Sequence, residues 1–188
     1  MPILPYLDKT PRLGRRVWLA PTAYVTGDVE LGDDVSFWYH TVARGDVHWI
    51  RIGAGTNIQD GAVLHVSAGV HPLDIGEGVV IGHSAVVHGC TIGDGALIGI
   101  GARVLDGAVI EAGAQVAAGA VVAPGQRIPS GQMAMGIPAR VKRPLGDAET
   151  AAIAEIRDRY MELKEHYRRL EDPADGGDIV SPPSGPSL

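Results

Sequence analysis

The chain has 188 residues, of which 45% are apolar and only 5% aromatic, with a formal net charge of −6. That is the length of one domain with appendages, and its core must be built from Val, Ile, Leu and Ala. The acidic balance excludes a global attraction to nucleic acid or to an anionic membrane, and no apolar run reaches the roughly 18 residues of a membrane span.

The first segment, residues 1–16, is irregular and broken by Pro2, Pro5 and Pro11. Its basic residues follow its apolar ones, the reverse of a secretory signal. One cysteine, Cys90, rules out an intrachain disulfide and suits a reducing compartment, so a cytoplasmic protein is expected. The clusters Arg12/Arg15/Arg16 and Arg140/Lys142/Arg143 read as solvated surface, with a contact to a partner chain as the alternative.

From about Val17 a period of six appears: Val25, Leu31 and Phe37; then Ile52, Ile58 and Leu64; then Ile75, Ile81 and Val87. After a five-residue step, Ile92, Ile98, Val104, Ile110, Val116, Val122 and Ile128 run on unbroken. Six fits neither the 3.6 of an α-helix nor a heptad. It fits short strands with turns at fixed offsets, three repeats to a triangular coil. The expected fold is therefore mainly β, a left-handed parallel β-helix of hexapeptide repeats over 17–144 with a C-terminal α-helix. Arg44–Trp49 disturbs the phase, and Ser67–Asp74 reads as an insertion, marked by Gly69 and Pro72.

Beyond Pro138 the repeats stop. Ile153, Ile156, Tyr160, Leu163, Tyr167 and Leu170 alternate at spacings of three and four, which predicts a helix over 147–171 capped by Asp147 or Thr150. The tail, 172–188, is rich in Pro, Gly, Ser and Asp and is expected to be disordered.

The phase also places the histidines. His65 follows Leu64 and His88 follows Val87, so the two share a position on one face, one coil apart, at about the strand spacing of 5 Å. His83 lies two places after Ile81, on the preceding face, where its ring does not reach the same point. Two stacked imidazoles make a partial metal site, and a catalytic metal needs a third protein ligand and an open position. Three subunits packed as a ring would bring His83 of one chain to His65 and His88 of the next. His40, His48, His71 and His166 read as surface or corner residues, and Cys90 as a small buried residue or a soft ligand.

With these residues in place the chain resembles the γ-class carbonic anhydrase family, left-handed β-helix trimers. The matching segments are Ala43–Asp46 (ARGD), Ile50–Val66 (IRIGAGTNIQDGAVLHV), Ile81–Ala102 (IGHSAVVHGCTIGDGALIGIGA) and Met135–Arg140 (MGIPAR), within a resemblance covering roughly residues 10–165. It implies His65, His83 and His88 as metal ligands at subunit interfaces of a homotrimer, with His83 donated by the neighbour. It also implies Arg44 in an intersubunit network with Asp46 and Asp60, Gln59 hydrogen-bonding water or bicarbonate at the metal, and Asn57 as a further polar residue there. The implied reaction is reversible CO₂ hydration by a hydroxide on the metal. The ion expected is Zn²⁺, or Fe²⁺ or Co²⁺, since imidazole suits all three alike.

The chain departs from the best-studied family pattern in two places. The loop between His65 and Ile75 carries Asp74 as its only acid, and Val47 stands where a second glutamate is expected. The proton must then leave by bulk water, His48 or His71, which implies weak hydratase activity. Two other readings share the scaffold. One is a hexapeptide acyltransferase or acyl-CoA thioesterase, against which no CoA-binding segment is apparent. The other is a non-catalytic metal-binding trimer.

Overall fold

A computed structural model describes residues 3–171, and the expectation for 172–188 lies outside the described residues. The chain winds as a parallel β-solenoid of about seven turns followed by one helix. Three ladders of inward aliphatic residues form its core. One stacks Leu31, Ile52, Ile75, Ile92, Ile110 and Ile128. The second stacks Phe37, Ile58, Ile81, Ile98 and Val116, closing on Ala134. The third stacks Val25, Ala43, Leu64, Val87, Val104 and Val122. Nearly all of these side chains are fully buried, with Ala at the intervening inward positions such as Ala62, Ala85 and Ala102. Small residues there let each corner tighten while the branched aliphatics fill the centre of the prism.

The disturbance expected at Arg44–Trp49 is not a loop. It lies inside one continuous strand, Val42–Ile52, which pairs with an equally unbroken strand, Tyr24–Leu31. These strands turn a corner without ending, so two faces of the prism merge into one 12-stranded sheet. The extra residues are absorbed as a register shift between Gly27 and Val29. Only glycine fits where the two coils cross. A Cβ on Gly27 would lie 2.3 Å from the Gly45 carbonyl oxygen, and one on Gly45 would lie 2.7 Å from that of Asp28.

The remaining face is the 8-stranded sheet, closed at its end by the antiparallel pair Gln132–Met135 and Arg140–Pro144. Helix α1 (Asp147–Glu171) lies against its strands Asn57–Ile58 and Val80–Ile81. The cap differs from the expected one. Glu149 reaches back to accept the Gly146 N–H at 3.0 Å, half of a capping box with Gly146 at the N-cap. The docked stripe differs too: Ile153, Tyr160, Lys164 and Tyr167 face the solenoid, whereas Ile156 and Leu170 are exposed. The reason is aromatic packing. Tyr160 meets Trp38 at 5.0 Å, and Tyr167 meets Trp18 at 5.6 Å and Trp38 at 5.2 Å, which turns the helix so that Lys164 is carried inward.

Candidate metal centre

His65 and His88 sit at the ends of the strands Val63–His65 and Val86–His88, which pair in parallel with His65 opposite His88. Leu64 and Val87 point into the core, so the period of two turns both imidazoles outward on one face. Their ring centroids are 5.0 Å apart, and His65 Nδ1 faces His88 Nε2 at 3.0 Å.

The other nitrogen of each ring is held by a carboxylate. His65 Nε2–H donates to Asp46 Oδ1 at 3.0 Å, and His88 Nδ1–H donates to Asp106. With both outer nitrogens carrying the protons, the two inner nitrogens present lone pairs to each other. Two facing lone pairs repel, and either a shared proton or a metal cation relieves that repulsion, so the pair could serve as two nitrogen donors to a metal. Tetrahedral coordination with metal–nitrogen bonds of about 2.0–2.1 Å needs a nitrogen–nitrogen span of roughly 3.3 Å. The observed gap, 3.0 Å, is somewhat shorter, so the two rings would have to part slightly to hold such an ion.

Arg44 anchors this arrangement from behind by pairing with the second oxygen of Asp46. Burial pushes the Asp46 carboxyl up, but the bonds from Arg44 and His65 outweigh it and hold it below the usual carboxylate range. Asp106 follows the same balance: burial raises it, and bonds from Ser67 and His88 bring it lower.

His83 lies on the preceding face. Its Nδ1–H donates to Asp60 Oδ2 at 2.9 Å, which leaves Nε2 as the lone-pair nitrogen, accepting the Tyr160 hydroxyl at 3.2 Å. All three imidazoles are therefore alike in having one nitrogen committed to an aspartate; the second nitrogens of His65 and His88 face each other, and that of His83 meets the Tyr160 hydroxyl. Asp60 faces His83 and the Tyr39 N–H within the chain, and Arg44 takes Asp46 alone. Among the described residues of one chain, no three His, Cys, Asp or Glu side chains converge on one point.

Gln59 and Asn57 flank Ile58 on a strand that α1 covers, and both are buried. Gln59 Nε2–H donates to Asn57 Oδ1 at 3.2 Å, which leaves Asn57 Nδ2 as a buried donor with no partner among the described residues. An open cavity of about 320 Å³ borders Asp46, lined by Val47, His48, Trp49 and Gly69 among others. Val47 puts an apolar group there. Cys90, two residues after His88, is buried, and burial pushes its thiol well above the ordinary range.

Three members of this cluster were not anticipated: Asp106, Ser67 and Tyr160. Asp106 lies two residues after Val104, which stacks on Val87, so the repeat phase alone would have placed it one coil beyond Gly89, next to His88. Ser67 lies in an insertion, and Tyr160 on a helix with no phase relation to the coils.

Residues 89–124 match the family model described as bacterial transferase hexapeptide (six repeats). The chain is 40% identical over 169 residues to a carbonic anhydrase of Geobacillus kaustophilus, covering 90% of this chain and 92% of that one. It is 46% identical over 165 residues to mitochondrial gamma carbonic anhydrase 1 of Arabidopsis thaliana, covering 85% of this chain and 60% of that protein. Among solved structures it resembles a hexapeptide transferase family protein from Anaplasma phagocytophilum, with a TM-score of 0.83, 38% identity, and coverage of 88% of this chain and 97% of that one.

Proposed function

This chain belongs to the γ-class carbonic anhydrase family, and we propose that it catalyses the reversible hydration of CO₂ to bicarbonate at a His-bound metal shared between subunits of a homotrimer. The observation that carries the reading is the pair of facing imidazole nitrogens, His65 Nδ1 and His88 Nε2, 3.0 Å apart with a carboxylate behind each ring. His83 of a neighbouring copy supplies the third nitrogen, from a ring that Asp60 has already oriented. A closed ring of three copies repeats one heterologous contact three times and so completes three equivalent sites.

When bound, Zn²⁺, Fe²⁺ or Co²⁺ supplies the Lewis acidity that brings the pKa of water toward neutrality. The chain's own residues do the rest. Asp46, Asp106 and Asp60 keep the three rings in the ligating tautomer, and Arg44 keeps Asp46 ionised and in place. Gln59 and Asn57 form a linked amide pair on the face that carries His83, with Asn57 Nδ2 as a spare donor buried within the chain. Val47 lines the cavity beside Asp46, and the two carboxylates there are already paired, Asp28 with Arg51 and Asp46 with Arg44 and His65. Turnover is therefore slow compared with a member of the family that carries acids at those positions.

Stopped-flow CO₂ hydration on anaerobically purified protein, with metal analysis of the same sample, tests this reading. A rate above buffer that follows metal content and disappears in His65→Ala supports it. No rate in any metal form overturns it. A second reading, acyl transfer, draws on the name of the Anaplasma structure. Acyl-CoA turnover by metal-free protein would favour it.

A further inference from the structure

Asp106 and the insertion Ser67–Asp74 form a device around His88. The insertion folds back on itself at its neck: Ser67 N–H donates to the His71 carbonyl at 3.0 Å, and the Val70 N–H to the Ser67 carbonyl at 3.2 Å. That closure aims the Ser67 hydroxyl at Asp106, where it donates to Oδ2 at 2.6 Å. The other carboxylate oxygen, Oδ1, takes the His88 Nδ1–H. Both oxygens are thus committed in opposite directions, and the carboxylate plane is fixed.

The backbone clears room for this contact. The turn bearing Asp106 is pinned to the His88 turn by the Gly107 N–H, which donates to the Gly89 carbonyl at 2.7 Å. Gly89 adopts φ 49°, and a Cβ there would stand 2.7 Å from Asp106 Oδ1 and 2.8 Å from His71 Cβ. The His71 ring in turn covers Gly107, 3.1 Å from where a Cβ would be. Two glycines, a serine and an inserted loop therefore converge on one aspartate, which bonds His88.

We propose that Asp106, clamped by Ser67 of the inserted loop, is the positioning residue that holds His88 as its Nδ1–H tautomer, with Nε2 presented to the metal. The insertion is then part of the metal-binding apparatus, whatever it lacks as a route for protons. This rests on the reading of His65 and His88 as metal ligands. A carboxylate behind a ligating imidazole fixes ring and tautomer and raises ligand basicity, and losing one lowers metal affinity by roughly 10- to 100-fold.

The test has two readouts, neither of them turnover. Zn²⁺ affinity is measured by chelator competition on wild type, Asp106→Ala, Asp106→Asn and Ser67→Ala, with oligomeric state and melting temperature recorded alongside. The expected result is a loss of roughly 10- to 100-fold in Asp106→Ala, a smaller loss in Ser67→Ala and partial recovery in Asp106→Asn, whose carbonyl still accepts from Nδ1. Imidazole ¹⁵N spectra of the metal-free proteins, taken above the ordinary His titration range, report the tautomer of His88 directly. Wild type should show Nδ1 protonated, and Asp106→Ala should shift toward the Nε2–H form. Should Asp106→Ala not fold, Ser67→Ala carries both readouts. Wild-type Zn²⁺ affinity in both variants, or an unchanged His88 tautomer, overturns the proposal. A wild type that binds no metal but shows the tautomer shift would overturn the metal-centre reading while leaving the Asp106–His88 contact established.

Discussion

Lys164 offers a sharp test of how α1 is held, and α1 is what carries Tyr160 to His83. Its side chain is fully buried, and its ammonium donates to Asp34 Oδ1 at 2.8 Å and to the Arg16 carbonyl at 3.1 Å, with Glu165 Oε1 at 3.3 Å. Three acceptors match its three donors. Removing Asp34 leaves a buried cation with its weaker partners, so Asp34→Ala should cost about 3 kcal/mol, the lower end of the range for breaking a buried pair. Lys164→Met removes the charge itself and leaves Asp34 paired with Arg16, so it should cost no more than about 1 kcal/mol. The double variant should lie within about 1 kcal/mol of Lys164→Met, since only the exposed Arg16 pair is then lost. The pH dependence has a definite sign. The Arg16 hydrogen bond first, and after it Lys164, hold the Asp34 carboxyl down to about 2 from an ordinary 3.8. A depressed folded value contributes stability that is complete above the unfolded value and is lost as pH falls through the folded one. That contribution, about 2 kcal/mol, is therefore present above pH 4 and disappears toward pH 2. Urea denaturation at fixed protein concentration, followed by tryptophan fluorescence, reads it, because Trp18 and Trp38 pack directly on α1. A Lys164→Met cost equal to or greater than that of Asp34→Ala would refute the reasoning.

Three further outcomes are expected. Leu64→Ala empties a fully buried position stacked between Ala43 and Val87 and should cost about 3 kcal/mol in the same denaturation assay. Cys90, buried and with its thiol pushed up, should resist iodoacetamide at pH 8 in folded protein and react in urea; rapid labelling of the native chain would contradict its burial. Co-refolding His83→Ala with His88→Ala should restore Zn²⁺ binding that neither variant has alone, since a mixed trimer contains a site with one intact pair and one intact His83. No recovery in demonstrably mixed trimers would place the third ligand elsewhere.

The fold was legible because its period is arithmetic. The order within each set of three put Ile52, Ile75 and Ile92 on one ladder, and the structure stacks them there; Leu31, second in its own set, joins them because the interruption at Arg44–Trp49 shifts the first coil by one face. What the period could not give is the path of the chain where it is interrupted. Arg44–Trp49 reads as a break, yet extended backbone simply continues round a corner once Gly27 and Gly45 let the coils cross. The helix was legible in extent and not in rotation. A 3–4 apolar stripe makes Ile156 and Leu170 as eligible as Ile153 and Tyr160, and the choice is made by Trp18 and Trp38, far away in sequence.

The same distinction separates the parts of the site. His65 and His88 could be paired from phase alone, since both follow an inward residue of one ladder. The aspartates could not be assigned by type. Within one chain Asp60 pairs with His83 and Asp46 with Arg44, whereas the contact of Arg44 with Asp60 that the resemblance implies is one between chains. Asp106 shows how far phase extends: it lies on the coil that His88 predicts, but its second bond comes from Ser67, in a loop that has no phase at all. A repeat fixes where the histidines and Asp106 stand; what clamps Asp106 in turn comes from a loop outside the repeat. A substitution in that loop should therefore change metal binding while leaving the solenoid's stability where it was.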